Sequence, residues 1–151
     1  MTPRDILSKP GQYTILVVED NTLVAKFYRM ALERAGGFTC ILTENTQKML
    51  DLVESGRVHL AILDVSLSGT EWEGRPIDGI ELAHLLRGRS PRRLPILLAT
   101  AHAMAGDRER LLVASGADDY LEKPIYDAQL LVEKVRRLLN REIDSQPAEL
   151  P

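Results

Sequence analysis

Four short apolar runs, each ending abruptly in polar or charged residues, constrain this chain more than anything else in it. Leu60-Ala61-Ile62-Leu63 stops at Asp64, and Ile15-Leu16-Val17-Val18 stops at Glu19-Asp20. Ile96-Leu97-Leu98-Ala99 stops at Thr100, and Tyr120-Leu121 stops at Glu122-Lys123-Pro124. The runs are too short for helices and lack a helical period, so they read as buried strands. Segments of helical period separate them. Strands alternating with helices imply a parallel sheet, whose ligands gather outside the carboxyl ends of the strands. Three carboxylates, a hydroxyl and an ammonium are therefore expected along one edge.

The other elements fall into place around these runs. Residues 1–12 carry two prolines and a glycine without periodicity and read as a flexible lead-in. The first strand is expected at 13–18, with Asn21 capping a helix that carries Leu23, Val24, Phe27, Met30 and Ala31 and stops at Gly36-Gly37. A second strand is expected at 38–43. Asn45 or Thr46 caps a second helix ended by Ser55-Gly56. After Asp64 comes a polar, glycine-rich stretch, then a third helix from Gly79 with Ile80, Leu82, Ala83, Leu85 and Leu86 turned inward. A fourth helix is expected at 104–115, closed by Gly116. Asp127 caps a fifth, with Leu131, Val135, Leu138 and Leu139 as its apolar stripe, and residues 140–151 read as a flexible, frayed tail. Five strands and five helices in alternation give an α/β three-layer sandwich, one domain over 13–139.

Composition narrows the classes of function. A net charge of −3 offers no concentrated basic face for nucleic acid. Arg87, Arg89, Arg92 and Arg93 cluster, and read as a solvated helix end and loop. Cys40 is the single cysteine, so an internal disulfide is excluded, and its apolar neighbours make it a small buried hydrophobe. No apolar stretch is long enough to span a bilayer, and the N-terminus lacks the apolar core of a signal peptide. The expectation is a cytoplasmic protein. His59 and His84 are isolated and suggest no zinc site.

Glu19, Asp20 and Asp64 brought together would repel one another unless something neutralised them. A hard divalent cation with oxygen ligands does so, and Mg²⁺ favours one or two carboxylates together with water and phosphate oxygens. Lys123 adds a compact positive charge and Thr100 a hydroxyl. Such equipment holds a phosphoryl group, and one carboxylate could itself be the nucleophile, forming an acyl phosphate. Singly, an aspartate after a strand is more often a cap or turn residue, and a Lys-Pro pair is a turn. All four features at successive strand ends resist that explanation.

Glu19-Asp20, Asp64, Asp78-Gly79, Thr100-Ala101 and Tyr120-Leu121-Glu122-Lys123-Pro124 resemble the receiver domain of two-component response regulators. Residues 100–107 and 116–120 are similar in particular to receivers of hybrid kinases and stand-alone phosphorelay receivers. The resemblance implies a flavodoxin-like, CheY-like sheet of order 2-1-3-4-5. It implies that Asp64 is the phosphoacceptor, attacking phosphohistidine on a sensor histidine kinase or a histidine phosphotransfer protein. Mg²⁺ would be held by Asp20, Asp64 and the Ser66 backbone carbonyl, with Glu19 acting through water. Lys123 and the backbone N–H of Ala101 would contact phosphoryl oxygens. Thr100 and Tyr120 would form the switch, repacking the face made by the fourth helix, fifth strand and fifth helix for a downstream protein target or onward transfer. Lys123-Pro124 would be a cis peptide, and the chain a monomer or weak homodimer. Ser66 and His102 would stand at the variable positions that tune acyl-phosphate hydrolysis.

The chain departs from the family after Asp64. Ser68 stands where receivers place a proline, and residues 69–75 look like an insertion containing Trp72. A tolerated surface insertion is one reading; an exposed partner anchor or a lid over the site is the other. Two competing functions fit less well. An aspartate-nucleophile phosphatase wants a second aspartate two residues after the nucleophile, where this chain has Ser66. A flavin carrier wants a phosphate-binding loop after the first strand, where Glu19-Asp20 would repel an anion. The expected role is therefore a signalling receiver rather than an enzyme, with turnover limited to self-phosphorylation and slow autodephosphorylation.

Overall fold

The computed structural model describes residues 12–101 and 106–145. Strands β1 (Thr14–Val18), β2 (Thr39–Leu42), β3 (Leu60–Asp64), β4 (Ile96–Thr100) and β5 (Asp119–Glu122) form one parallel sheet in the order β2-β1-β3-β4-β5. Helices α1 (Thr22–Met30), α2 (Thr46–Glu54), α3 (Gly79–Arg89), α4 (Asp107–Ser115) and α5 (Ala128–Ser145) cover its two faces. This is the expected α/β sandwich with the expected strand order.

Alternation along the strands divides the core. Ile15, Val17, Ile62, Leu97 and Leu121 pack with Tyr28 and Leu32 and with Leu131, Val132 and Val135 of α5. Leu16, Val18, Ala61, Leu63, Ile96 and Leu98 pack with Met49 and Leu50 of α2 and Leu82, Ala83 and Leu86 of α3. Because both faces are covered, the inner strands β1, β3 and β4 carry continuous apolar runs, as buried parallel strands require. Cys40, on the edge strand β2, is 5% exposed, and burial pushes its thiol up to about 11.

Helix starts follow the capping chemistry. Asn21 Oδ1 accepts from the N–H groups of Leu23 and Val24 at 3.0 and 3.1 Å, and Asn45 Oδ1 from Lys48 at 2.9 Å. Asp78 Oδ1 accepts from Glu81 at 2.8 Å, and Asp127 Oδ1 from Gln129 and Leu130 at 2.9 and 3.2 Å. Each such cap contributes about 1 kcal/mol.

Four features differ from the expectations. The end of the first helix is a π-turn over Ala31–Ala35, with the Gly36 N–H reaching the Ala31 carbonyl at 3.0 Å. The stretch after Asp64 contains a small antiparallel hairpin pairing Glu71 with Pro76 and Trp72 with Arg75. Helix α5 continues to Ser145, well past Leu139, so the part of the expected tail up to that residue is helical. Within the arginine cluster Arg89, Arg92 and Arg93 are exposed, as expected of a solvated helix end and loop, but Arg87 is half-buried and reaches Asp118 and the carbonyls of Leu94 and Gly116, and Arg93 pairs with Asp118 and Glu142. The expected lead-in before Gln12, the start of the fourth helix at Met104, His102 and residues 146–151 lie outside the described residues.

Candidate functional site

Strand register assembles the site. Val18 pairs with Leu63, Asp64 with Ala99, and Thr100 with Glu122, so β1, β3, β4 and β5 end side by side. Glu19, Asp20, Asp64 and Lys123 all emerge at that edge. One oxygen from each of the three carboxyl groups lies within 4.8 Å of the others. Glu19 and Asp64 are buried, at 7% and 6% exposure, while Asp20 is exposed.

Lys123 binds two of these acids directly. Its Nζ donates to Glu19 Oε1 at 2.6 Å and to Asp64 Oδ2 at 2.7 Å. Burial works against the charge of Lys123, but the hydrogen bonds it donates to Asp64 and Glu19 outweigh it and hold the ammonium above its usual range. Burial pushes the Glu19 carboxyl up to about 7, opposed by Lys123 and reinforced by Asp64. The backbone N–H of Ser66 donates to Asp64 Oδ1 at 3.1 Å, so both oxygens of Asp64 are engaged. The Lys123–Pro124 peptide is cis, as the resemblance implied.

Asp20 is held differently. Ser68 donates to its Oδ2 through the hydroxyl at 2.5 Å and the backbone N–H at 3.3 Å. The Ser68 hydroxyl keeps the Asp20 carboxyl below its ordinary range, against a smaller push from burial. Ser68 was identifiable in the sequence only as the residue replacing a proline. Its contact with Asp20 crosses 48 positions of chain, and the departure from the family pattern was the sole local signal.

The Asp78-Gly79 pair has a packing role behind the site. The Gly79 N–H donates to the Val65 carbonyl at 3.0 Å. A Cβ at Gly79 would overlap the Asp64 carbonyl oxygen and lie 2.8 Å from the carbonyl carbon. The first turn of α3 thus abuts the backbone of Asp64, and glycine is required by proximity rather than by dihedral freedom.

The remaining expected residues lie around this centre. Thr100 is 1% exposed at the end of β4, and its carbonyl accepts the Lys123 N–H at 2.7 Å. Ala101 is exposed and shares a groove of about 440 Å³ with Asn21, Leu23, Phe27 and Lys123. Tyr120 stands apart from the acids. Its half-buried ring lies 4.9 Å from the Arg108 guanidinium of α4 and 6.0 Å from the Lys134 ammonium of α5. Trp72 is half-buried against the α2–α3 side of the core, which fits a packed insertion better than a free-standing anchor. His59 Nδ1 accepts the Thr14 N–H at 3.0 Å, and His84 Nε2 lies 2.7 Å from the Ala114 carbonyl oxygen, so both histidines serve local structure.

Three convergent carboxylates against one ammonium leave excess negative charge, with oxygen donors alone. That donor set suits a hard divalent cation such as Mg²⁺, whose charge would complete the neutralisation that Lys123 begins.

Comparison with known proteins agrees with the geometry. The family model described as the response regulator receiver domain matches residues 15–136. The polar-differentiation response regulator DivK of Brucella anthropi is 34% identical over 113 residues, covering 74% of this chain and 85% of DivK. The phosphate regulon transcriptional regulatory protein PhoB of Pseudomonas aeruginosa is 34% identical over 129 residues, covering 85% of this chain. The chain spans about half of PhoB, 52% of its length. The crystal structure of a CheY-like receiver domain protein from Methanospirillum hungatei matches with a TM-score of 0.71 at 22% identity, covering 89% of this chain and 98% of the other, a likeness of fold. With an acid cluster and lysine at the strand ends and a family match running from β1 into α5, this chain belongs to the response regulator receiver domains of two-component signalling.

Proposed function

We propose that Asp64 accepts a phosphoryl group from phosphohistidine on a sensor histidine kinase or a histidine phosphotransfer protein. An Asp64 carboxylate oxygen attacks phosphorus, the P–N bond breaks, and its electron pair returns to the imidazole nitrogen. An acyl phosphate remains on Asp64. The observation that carries this reading is the contact of Lys123 Nζ with Asp64 Oδ2 at 2.7 Å, beside Glu19 and Asp20. Lys123 is positioned to follow charge from the carboxylate onto a phosphoryl oxygen, as electrostatic catalysis of phosphoryl transfer demands.

Asp20, Asp64 and the Ser66 carbonyl would hold Mg²⁺, with Glu19 acting through water. The ion supplies charge neutralisation for the incoming phosphoryl group. Ala101 would donate its backbone N–H to a phosphoryl oxygen. The groove between α1 and the β5–α5 connection, with Leu23 77% exposed, is lined by Lys123 and Ala101, beside the site, and would receive the phosphodonor.

The phosphoryl group adds about −1.5 to −2 charge and three strong acceptor oxygens. That favours an arrangement in which the Thr100 hydroxyl and Lys123 draw close to it. Tyr120, between cations of α4 and α5, would shift with Thr100 and repack the α4-β5-α5 face for a downstream protein target or onward transfer. In this reading the chain acts in the cytoplasm as a monomer or weak homodimer. Among the described residues no helix is long and apolar enough to cross a membrane. A phosphatase would need a general acid two residues after Asp64, and Ser66 offers a backbone N–H there instead.

Labelling from a phosphodonor in the presence of Mg²⁺ should give a hydroxylamine-labile adduct on the wild type and none on Asp64→Asn. Chelation of Mg²⁺ should stop wild-type labelling. Stoichiometric labelling of Asp64→Asn would move the acceptor elsewhere, and undiminished transfer in chelator would remove the ion from the reaction.

A further inference from the structure

The three acids of the site are not equally constrained. Asp64 is buried and held by Lys123 and the Ser66 N–H, and Glu19 is buried and held by Lys123. Asp20 is exposed, and on its own its carboxylate would sample several rotamers. Ser68 donates both its hydroxyl and its backbone N–H to one oxygen of Asp20, Oδ2.

Ser68 is itself held by a packed loop. Thr70 and Ile77 are 1% and 4% exposed, and the Ile77 N–H donates to the Thr70 carbonyl at 3.1 Å. The Thr46 hydroxyl at the start of α2 donates to the Glu71 carbonyl at 2.6 Å, and Trp72 packs against the core. The inserted hairpin is thus tied to α2 and to the core, and Ser68 precedes it where the chain passes Asp20.

We propose that Ser68 is a positioning residue for cation binding, fixing Asp20 by one carboxylate oxygen so that the other is presented to the ion beside Asp64. The inference builds on the receiver reading of the acid cluster and adds a determinant specific to this chain. A proline at position 68 would supply neither donor. Groups that hydrogen-bond a ligating carboxylate typically change metal affinity 10–100-fold when removed.

The test is a calorimetric titration of Mg²⁺ into the full chain, without phosphodonor, for the wild type, Ser68→Ala and Ser68→Thr. Ser68→Ala should bind Mg²⁺ about tenfold more weakly. Ser68→Thr keeps both donors and should stay within about threefold of the wild type. Melting curves in chelator should show all three folded. Ser68→Ala affinity equal to or tighter than the wild type overturns the proposal while leaving the cation site intact. A Ser68→Thr loss as large as that of Ser68→Ala assigns the effect to packing and overturns it too. A wild type that takes up no Mg²⁺ overturns the cation site together with the role of Ser68.

Discussion

At the amino ends of the strands, Asp118 accepts from Arg87 and Arg93, and Glu142 takes a further hydrogen bond from Arg93. At the carboxyl ends, Lys123 faces Glu19 and Asp64 with Asp20 alongside. Both sites place ionised groups at the rim of the same sheet, yet their balance differs. The lower network sets two guanidinium groups against two carboxylates, and Asp118 also accepts the Ile96 N–H at 2.8 Å. The upper one sets a single ammonium against three carboxylates. A balanced network of this kind has its valences spent on the protein and serves to join α3, β5 and α5. An unbalanced one retains repulsion that a bound cation relieves. Charge gathered at the rim of one sheet therefore has two outcomes, and the count of opposing charges separates them.

The contrast breaks most visibly if the lower network proves dispensable. Asp118→Ala takes the counter-ion from the half-buried Arg87 guanidinium and the acceptor from the Ile96 N–H, and should cost about 3 kcal/mol in urea unfolding while leaving Mg²⁺ affinity within about twofold. A loss below about 1 kcal/mol would mean that these ion pairs are ornamental.

A smaller effect should come from pH, because the upper site buries a titrating carboxyl, Glu19. Glu19 is raised from 4.5 to about 7 by burial, so between those values the folded protein binds more protons than the unfolded chain. Stability from this group is complete below about pH 4.5 and is lost as pH rises through 7. In chelator, thermal stability should fall by about 5 °C between pH 5 and pH 7.5, and Glu19→Gln should flatten that slope. A profile for Glu19→Gln that matches the wild type would place the titrating group elsewhere.

The smallest effect sharpens the comparison from outside both sites. Arg89 and Glu54 pair at 2.7 Å with both side chains 44% exposed. Arg89→Ala should change unfolding free energy by about 0.5 kcal/mol, the usual worth of a solvated pair. A change as large as that of Asp118→Ala would show that burial does not distinguish the lower network.

Much of this was legible in the sequence because it is locally encoded. Strand ends appear where an apolar run meets a carboxylate, and Asn21, Asn45 (with Thr46 as the alternative) and Asp127 announce helix starts by capping chemistry, whereas the Asp78 cap of the third helix emerged only from the structure. The convergence of Glu19, Asp64 and Lys123 follows once the strands are parallel, since every carboxyl end then faces one way. What escaped the sequence depends on partners far apart along the chain. Arg87 meets Asp118 across 31 positions, Arg93 meets Glu142 across 49, and Ser68 meets Asp20 across 48. No periodicity marks such pairs. The hairpin at 71–76 was hidden because two-residue strands fall below any alternation signal. The π-turn at Ala31–Ala35 was hidden because its apolar spacing matches that of an ordinary helix end.

Cys40 lies on β2, an outer strand of the sheet, facing the core beside Phe38 and Leu32. Since it is the chain's sole thiol and almost wholly enclosed, alkylating reagents can reach it only when that border strand parts from its neighbours. Its rate of modification is thus a built-in clock for the breathing of this margin of the domain, readable without labels or added mutations.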